Sequence, residues 1–388
     1  MERMAGTEAV DSKPKLFMPE YAGREIAKIA ADSLLPCEAA VSMESGHRQL
    51  GSYSWLGSNS DYTKRMIYVP GAPPIYIPKE KHERIVLRRF SAGHRKGFQF
   101  VEGLKSLVPS FQAIERLNPN YTFNHIDIII FSAAMTDFFT FCQGEIHQKR
   151  VALDVSLIKD TLAISRTPAR WDLWFEEARR GTFGLAFQRG LTKWPKGLEN
   201  SSSHVRILEY KFGDLNLAVI CGVDASIRWP EEGSRTVIYN RSNELDVSGS
   251  AQVVPCGFTC REPAVELKLF RPGPDFSNFI LRQTWMTRTA YAALGRLQEQ
   301  HKITSTVELE DVMIYKLDQW QLDWERDNQV VLRKMARLFS RLRELVRNTG
   351  RQRAYITRQA RAQNTPLQVH HSACDIPLEE AHIKKFWK

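Results

Sequence analysis

The sequence has no long hydrophobic run. Its longest apolar stretch, residues 126–135, is broken by Asp127 and Ser132, and it falls well short of the roughly 18–20 apolar residues that span a bilayer. Residues 1–15 mix Glu, Asp and Lys without an apolar core, so no secretory leader is expected. Cysteine is sparse. Cys37, Cys142, Cys221, Cys256, Cys260 and Cys374 are scattered over 388 residues. That is no disulfide framework, and a reducing location, nuclear or cytoplasmic, is expected. Gly-x-x-x-x-Gly-Lys-Ser/Thr, Gly-x-Ser-x-Gly and Gly-x-Gly-x-x-Gly are all missing, which removes the main sequence support for a P-loop ATPase, an elbow hydrolase or a dinucleotide enzyme. No Asp-Asp-x-x-Asp occurs either, so the acidic helices of a prenyl diphosphate synthase are absent. No internal repeat or low-complexity tract is visible.

What is present is a globular, basic composition. Hydrophobic residues make up 43% and charged residues 25%, with 54 Lys+Arg against 44 Asp+Glu, a net charge of +10. A chain of this length buries a core without disulfide staples, and its charge suits an anionic partner. Residues 1–20 read as a flexible leader and 21–100 as an N-terminal extension. Within that extension, 67–78 carries Pro70, Pro73, Pro74 and Pro78. Proline removes backbone donors, so this stretch reads as an extended arm and not a helix. Helical spacing recurs at 101–117, 137–142 and 169–192. Alternating apolar residues predict a hairpin over 151–166, turning at Lys159-Asp160, and a second over 205–223, turning at Gly213-Asp214. A turn-rich insertion follows at 228–263, then a strand at 264–270. Helices are expected over 281–298 and 309–346. The strands do not alternate regularly with helices, which points to an α+β domain with a mixed sheet over 101–347 and a loose basic tail over 348–388.

The chemistry-bearing pattern lies at the end of the second hairpin and on the strand after it. Asp224 ends an apolar strand, and Glu266-Leu267-Lys268 follows some forty residues later. Side chains alternate across a strand, so Glu266 and Lys268 share one face. Carboxylates from neighbouring strands can hold Mg²⁺ or Mn²⁺ through oxygen. A nearby Lys can position water or a developing anion. A solvent-facing ion pair on an edge strand would show the same spacing.

Asp, a gap and Glu-x-Lys on an apolar strand resembles the PD-(D/E)XK nuclease core. The wider order resembles the DXO family of decapping exonucleases and pyrophosphohydrolases, in which a Gly-aromatic-x-x-Glu helix precedes Glu-x-Asp, Glu-x-Lys and a helix with Gln and Trp. Gly184–Gln188, Gly222-Val223-Asp224, Glu266-Leu267-Lys268 and then Gln283 with Trp285 stand at those places. The overall pattern is similar to a group of ascomycete fungal proteins sharing Ser52-Tyr53-Ser54-Trp55-Leu56, the arm from Val69 to Pro74, the second hairpin and a Trp-rich C-terminal helix. The resemblance spans about residues 50–345. It implies a 5′-end RNA enzyme in which Asp224 and Glu266 bind Mg²⁺ or Mn²⁺, Lys268 positions water and Gln188 is an accessory group. The pattern is depleted, however. Gln188 and Gly222 stand where the family carries acidic residues, and a hard dication needs charged oxygen around it. An RNA-binding descendant with reduced or lost activity is therefore expected. The alternatives are an active Mg/Mn-dependent pyrophosphohydrolase or exonuclease, and a non-catalytic scaffold for a protein partner.

Charge is concentrated late in the chain. Residues 321–363 hold eleven Lys+Arg and four Asp+Glu. Val331, Met335, Leu338, Leu342 and Leu345 form an apolar stripe, and Arg333, Lys334, Arg337, Arg341 and Arg343 lie off it. Arg351, Arg353, Arg358 and Arg361 continue beyond. Arg333, Lys334, Arg337, Arg341, Arg351 and Arg353 are the candidate RNA contacts, in which cations would replace counterions along a phosphate backbone. The same residues would also suit a solvated face. Asp154 reads as a solvated hairpin carboxylate or an extra metal ligand. Cys256 with Cys260, and His370, His371, Cys374 and His382, are weak zinc patterns of non-standard spacing.

Overall fold

Most strands in the chain read as short runs of β-branched and aliphatic residues, and they assemble into two mixed sheets. The computed structural model describes residues 22–56, 66–79, 85–88, 107–145, 151–166, 183–227, 252–256, 263–270, 276–297, 306–359, 365–372, 378 and 380–388. The leader, residues 167–182 and most of 228–263 lie outside the described residues.

The larger sheet takes β1 (Ala22–Ile29), β2 (Arg48–Leu56), β3 (Met66–Val69), β6 (Ile128–Phe131), β7 (Val151–Ile158), β8 (Thr161–Arg166), β10 (Ser201–Phe212), β11 (Leu215–Val223), β13 (Gln252–Pro255), β17 (Arg353–Arg358) and β18 (Leu367–Ser372). Their order is β1-β18-β17-β7-β8-β6-β11-β10-β2-β3-β13. The smaller sheet takes β4 (Ile75–Tyr76), β5 (Val86–Arg88), β9 (Thr192–Lys193), β12 (Ala225–Ser226), β14 (Ala264–Phe270), β15 (Tyr291–Leu297) and β16 (Thr306–Lys316), ordered β5-β16-β15-β14-β12-β4-β9. The helices are α1 (Val108–Leu117), α2 (Ser132–Cys142), α3 (Phe183–Gly190), α4 (Phe276–Thr287), α5 (Asp318–Asp327), α6 (Gln329–Arg347) and α7 (Glu380–Phe386). This is the expected α+β class with mixed sheets.

Both predicted hairpins form. β7 pairs antiparallel with β8, and β10 with β11. β7 is buried along its whole length, as a nearly continuous apolar run in the middle of a sheet should be. One face of the larger sheet packs against α2 and α6, where Phe138, Phe139, Met135, Leu338, Phe339 and Leu342 interlock. On the other face Phe111 of α1 and Phe123 meet Phe386 and Trp387. The α6 stripe is therefore core, as its spacing predicts.

Four expectations are overturned. Residues 281–298 are not one helix, because α4 stops at Thr287 and β15 follows. β15 pairs parallel with β14, Glu266 opposite Ala292, and a partner strand outweighs weak helical spacing. Residues 309–346 likewise divide into β16, α5 and α6. The expected loose tail forms β17 and β18, which pair with each other, with β7 and with β1. β1, β2 and β3 lie in the same sheet, so the N-terminal stretch is part of the fold and not an appendage.

Candidate functional site

The chain crosses from the larger sheet to the smaller one at Asp224, between β11 and β12. Ala225 pairs with Val265 in antiparallel register, which sets Asp224 beside Glu266 on β14. Asp224 Oδ2 accepts the Leu267 backbone N–H at 3.0 Å. From β14 the chain runs through α4 to the parallel strand β15, a β–α–β crossover whose helix covers one face of the sheet. That helix brings Gln283 over the Glu266 face, and Gln283 Nε2 donates to Glu266 Oε1 at 2.7 Å. Lys268 Nζ reaches the same oxygen at 2.8 Å, with the Glu266 side chain 6% and the Lys268 side chain 27% exposed. The structure thus brings together Asp224, Glu266 and Lys268, and it adds Gln283.

Burial first, and then the neighbouring Asp224 charge, push the Glu266 carboxyl up to about 7 against the pull of Lys268. Burial works against the Lys268 ammonium, but the charges of Glu266 and Asp224 outweigh it and the pKa rises. Near neutral pH the Glu266 proton is therefore shared between two populated states, beside a lysine that stays charged.

The other family positions are not filled. Phe187 of α3 packs on the far face of the smaller sheet with Val265, Leu267 and Ala293. It lies so close to Gly295 that a Cβ there would sit 2.6 Å from its ring. Gln188 is the next residue. Among the described residues its amide makes no hydrogen bond with Asp224, Glu266 or Lys268; its backbone carbonyl accepts from Thr192. The accessory role assigned to Gln188 therefore has no contact behind it. Gly222 is exposed and brings no side chain. Among the described residues, no group of three His, Cys, Asp or Glu is arranged to hold a metal ion. Mg²⁺ and Mn²⁺ favour several oxygen ligands. Here one carboxylate oxygen already serves a lysine and an amide, and two positions are neutral or empty. The donor set does not fit a divalent centre.

Other candidates are consumed by the fold. Asp154 is neither solvated nor near Asp224. It lies in β7, buried, and Arg353 of β17 grips it with Nε at 3.1 Å and Nη2 at 2.5 Å. Arg353 is thereby corrected as an RNA contact, since its guanidinium is buried and already paired. Arg333 Nε donates to the Cys37 carbonyl. Arg343 pairs with Asp127 at 2.8 Å and Arg347 with Asp160 at 3.0 Å. Lys334, Arg337 and Arg341 remain at least partly exposed, Arg337 most, and Arg351 is exposed beyond the helix. Cys256 Sγ accepts the Gly71 N–H at 3.0 Å; Cys260 and Cys374 lie outside the described residues. His370 contacts Thr357 and His382 lies beside Phe111, so the weak zinc pattern is not assembled among the described residues.

The family model described as "Domain of unknown function (DUF8563)" matches residues 24–387. The chain belongs to that family. No curated protein matches it in sequence. Solved structures do match in fold. Scheffersomyces stipitis Rai1, in complex with (3′-NADP)⁺ and calcium ion, has a TM-score of 0.55 at 13% identity, covering 94% of this chain and 94% of that one. K. lactis Dxo1 in complex with manganese has a TM-score of 0.53 at 11% identity, covering 91% and 99%. Candida albicans Rai1 in complex with pU5-Mn²⁺ has a TM-score of 0.52 at 10% identity, covering 90% and 94%. The chain therefore has the Rai1/Dxo1 fold over nearly its whole length, the fold its motif order suggested.

Two cations of this DUF8563 member escaped the sequence reading. Arg206 sits in β10, and Arg288 follows α4; both are buried. The available signal for Arg206 was strand alternation, which sets it on the same face as Leu208, Tyr210 and Phe212. Arg288 carried none.

Proposed function

We infer that this chain is an RNA-binding protein built on a 5′-end nuclease fold whose hydrolytic activity is reduced or lost. The observation that carries the reading is the depleted acidic set around Glu266. Its carboxylate is buried and hydrogen-bonded to Lys268 and Gln283, its acidic neighbours are reduced to Asp224, and Gln188 and Gly222 bring no charged oxygen for a dication. Support for RNA comes from the fold, since a structure of this shape has been solved with pU5, and from Lys334, Arg337, Arg341 and Arg351, whose charges suit a phosphate backbone. A nuclear or cytoplasmic location belongs to the same proposal.

A second reading, an active Mg/Mn-dependent pyrophosphohydrolase or exonuclease, is favoured by one fact. Asp224, Glu266 and Lys268 do meet at one sheet junction. Incubation of 5′-triphosphate and capped RNA with Mn²⁺ separates the two. No Mn²⁺-dependent turnover is expected from the native chain. Turnover that disappears in Glu266→Ala would establish the active enzyme instead. A Cβ at position 222 meets nothing within 4 Å, so Gly222→Glu is sterically allowed and should raise Mn²⁺ affinity measured by calorimetry. Failure to bind any RNA at low salt would leave only the scaffold reading.

A further inference from the structure

Arg206 and Arg288 form a buried pair of cations. They keep 9% and 6% of their surface exposed. Arg206 Nη2 donates to the Thr287 carbonyl at 2.5 Å, the Arg288 carbonyl at 3.1 Å and Thr289 Oγ1 at 3.3 Å. The Arg288 guanidinium is sandwiched between Tyr210 and Trp285, 4.1 and 4.2 Å from the ring centroids, and Nη1 donates to the Trp285 carbonyl at 2.8 Å. Arg206 Nε and Arg288 Nε and Nη2 meet no acceptor among the described residues. Glu325 is the acidic group near Arg288, but its Oε2 accepts from the Trp285 indole at 2.9 Å and the Met43 N–H at 2.8 Å. Buried charge is retained when it is paired or has another use.

Arg288 has φ 51°, the left-handed residue that ends α4, with the Thr289 N–H returning to the Thr284 carbonyl at 2.9 Å. This cap fixes the direction in which the Arg288 side chain leaves the helix. His47 lies near both guanidiniums, and partial burial, then their charges, lowers its pKa to about 4. It is neutral at physiological pH. The pair also borders the acidic junction: the Cys221 thiol donates to the Arg206 carbonyl at 3.6 Å, and Cys221 lies on β11 three residues before Asp224.

We propose that Arg206 and Arg288, with His47 at the rim, form a phosphate-binding subsite that takes its anion without a divalent metal. Guanidinium forks match phosphate oxygens geometrically, and among the described residues neither cation is bonded to a carboxylate. The cationic charge that the depleted acidic set cannot recruit as metal is here built from side chains. The inference rests on the RNA reading for the nature of the ligand, but its test does not.

The experiment titrates the full chain, with EDTA present, against inorganic pyrophosphate and against one short RNA carrying either a 5′-phosphate or a 5′-hydroxyl. Pyrophosphate should bind in EDTA, and Arg288→Gly and Arg206→Gln should each weaken it about tenfold or more, the scale of one charge-assisted hydrogen bond. Tighter binding of the 5′-phosphorylated RNA would assign the subsite to the RNA end. Equal binding of the two RNAs would assign it to free phosphate. No pyrophosphate binding by the native chain, or binding unchanged in both variants, would overturn the proposal. Arg288→Gly suits the left-handed backbone, and Arg206→Gln provides a second variant if the loss of stacking unfolds the first. RNA binding through α6 is read separately by its salt dependence, so either proposal can fail alone.

Discussion

At the scale of single residues, burial decides what each charge can do. Glu266 titrates near pH 7 in the folded protein, against 4.5 when unperturbed. Between those values the folded state holds a proton that the unfolded chain has lost, so this residue's contribution to stability falls as pH rises through that window. His204 and His47, depressed to about 3 and about 4 from 6.5, act in the opposite sense: their contribution is full above 6.5 and is lost as pH falls. The comparison of native protein with Glu266→Gln isolates the glutamate. In urea unfolding at about pH 5 and about pH 8, the variant should gain stability relative to the native chain at the higher pH; a pH-independent difference would contradict the raised pKa. Asp154 and Arg353 give a second residue-scale expectation. Removing one partner of a buried pair strands the other, so Arg353→Ala should cost about 3–5 kcal/mol in the same assay. Arg337→Ala, on an exposed face, should cost about 0.5 kcal/mol or less.

At the scale of elements, packing partners matter more than local propensity. β15 is a strand because β14 and β16 flank it, and its Gly295 leaves the room that Phe187 of α3 occupies. α7 is short, yet it places Phe386 and Trp387 against Phe111 and Phe123. Trp387 is 4% exposed and its indole donates to Thr161 Oγ1 at 2.8 Å, so the end of the chain closes a core that begins at α1. Trp387→Ala should lower stability by about 3–5 kcal/mol, seen as a large drop in melting temperature. A negligible shift would mean that α7 does not hold this face.

At the scale of the whole molecule, the basic excess is divided between structure and surface. Arg333, Arg343, Arg347 and Arg353 are tied to the fold. Lys334, Arg337 and Arg341 stay at least partly exposed, and they are the surface the RNA-binding proposal uses. RNA affinity should therefore fall with salt. Replacing Arg337 and Arg341 together should flatten the log–log slope by roughly 0.7 for each phosphate of a single strand that is no longer neutralised. An unchanged slope would move the RNA surface elsewhere on the molecule.

The sequence by itself determined the features governed by neighbours along the chain. The hairpins at β7–β8 and β10–β11 pair residues close along the chain, and strand β14 and the apolar stripe of α6 are periodic patterns visible within a short window. Asp224, Glu266 and Lys268 were legible because strand alternation sets two of them on one face and a strand end exposes the third. Tertiary structure alone decided the rest. It turned residues 291–297 and 306–316 into strands, because parallel and antiparallel partners satisfy their backbone groups. It drew the supposed tail into the larger sheet, swung Gln283 over Glu266, spent Arg353 on Asp154 and set Arg206 against Arg288. Each of these depends on burial beside a residue distant in sequence. Desolvation, which sets both the cost and the use of a charge, exists only once those distant surfaces have closed on one another.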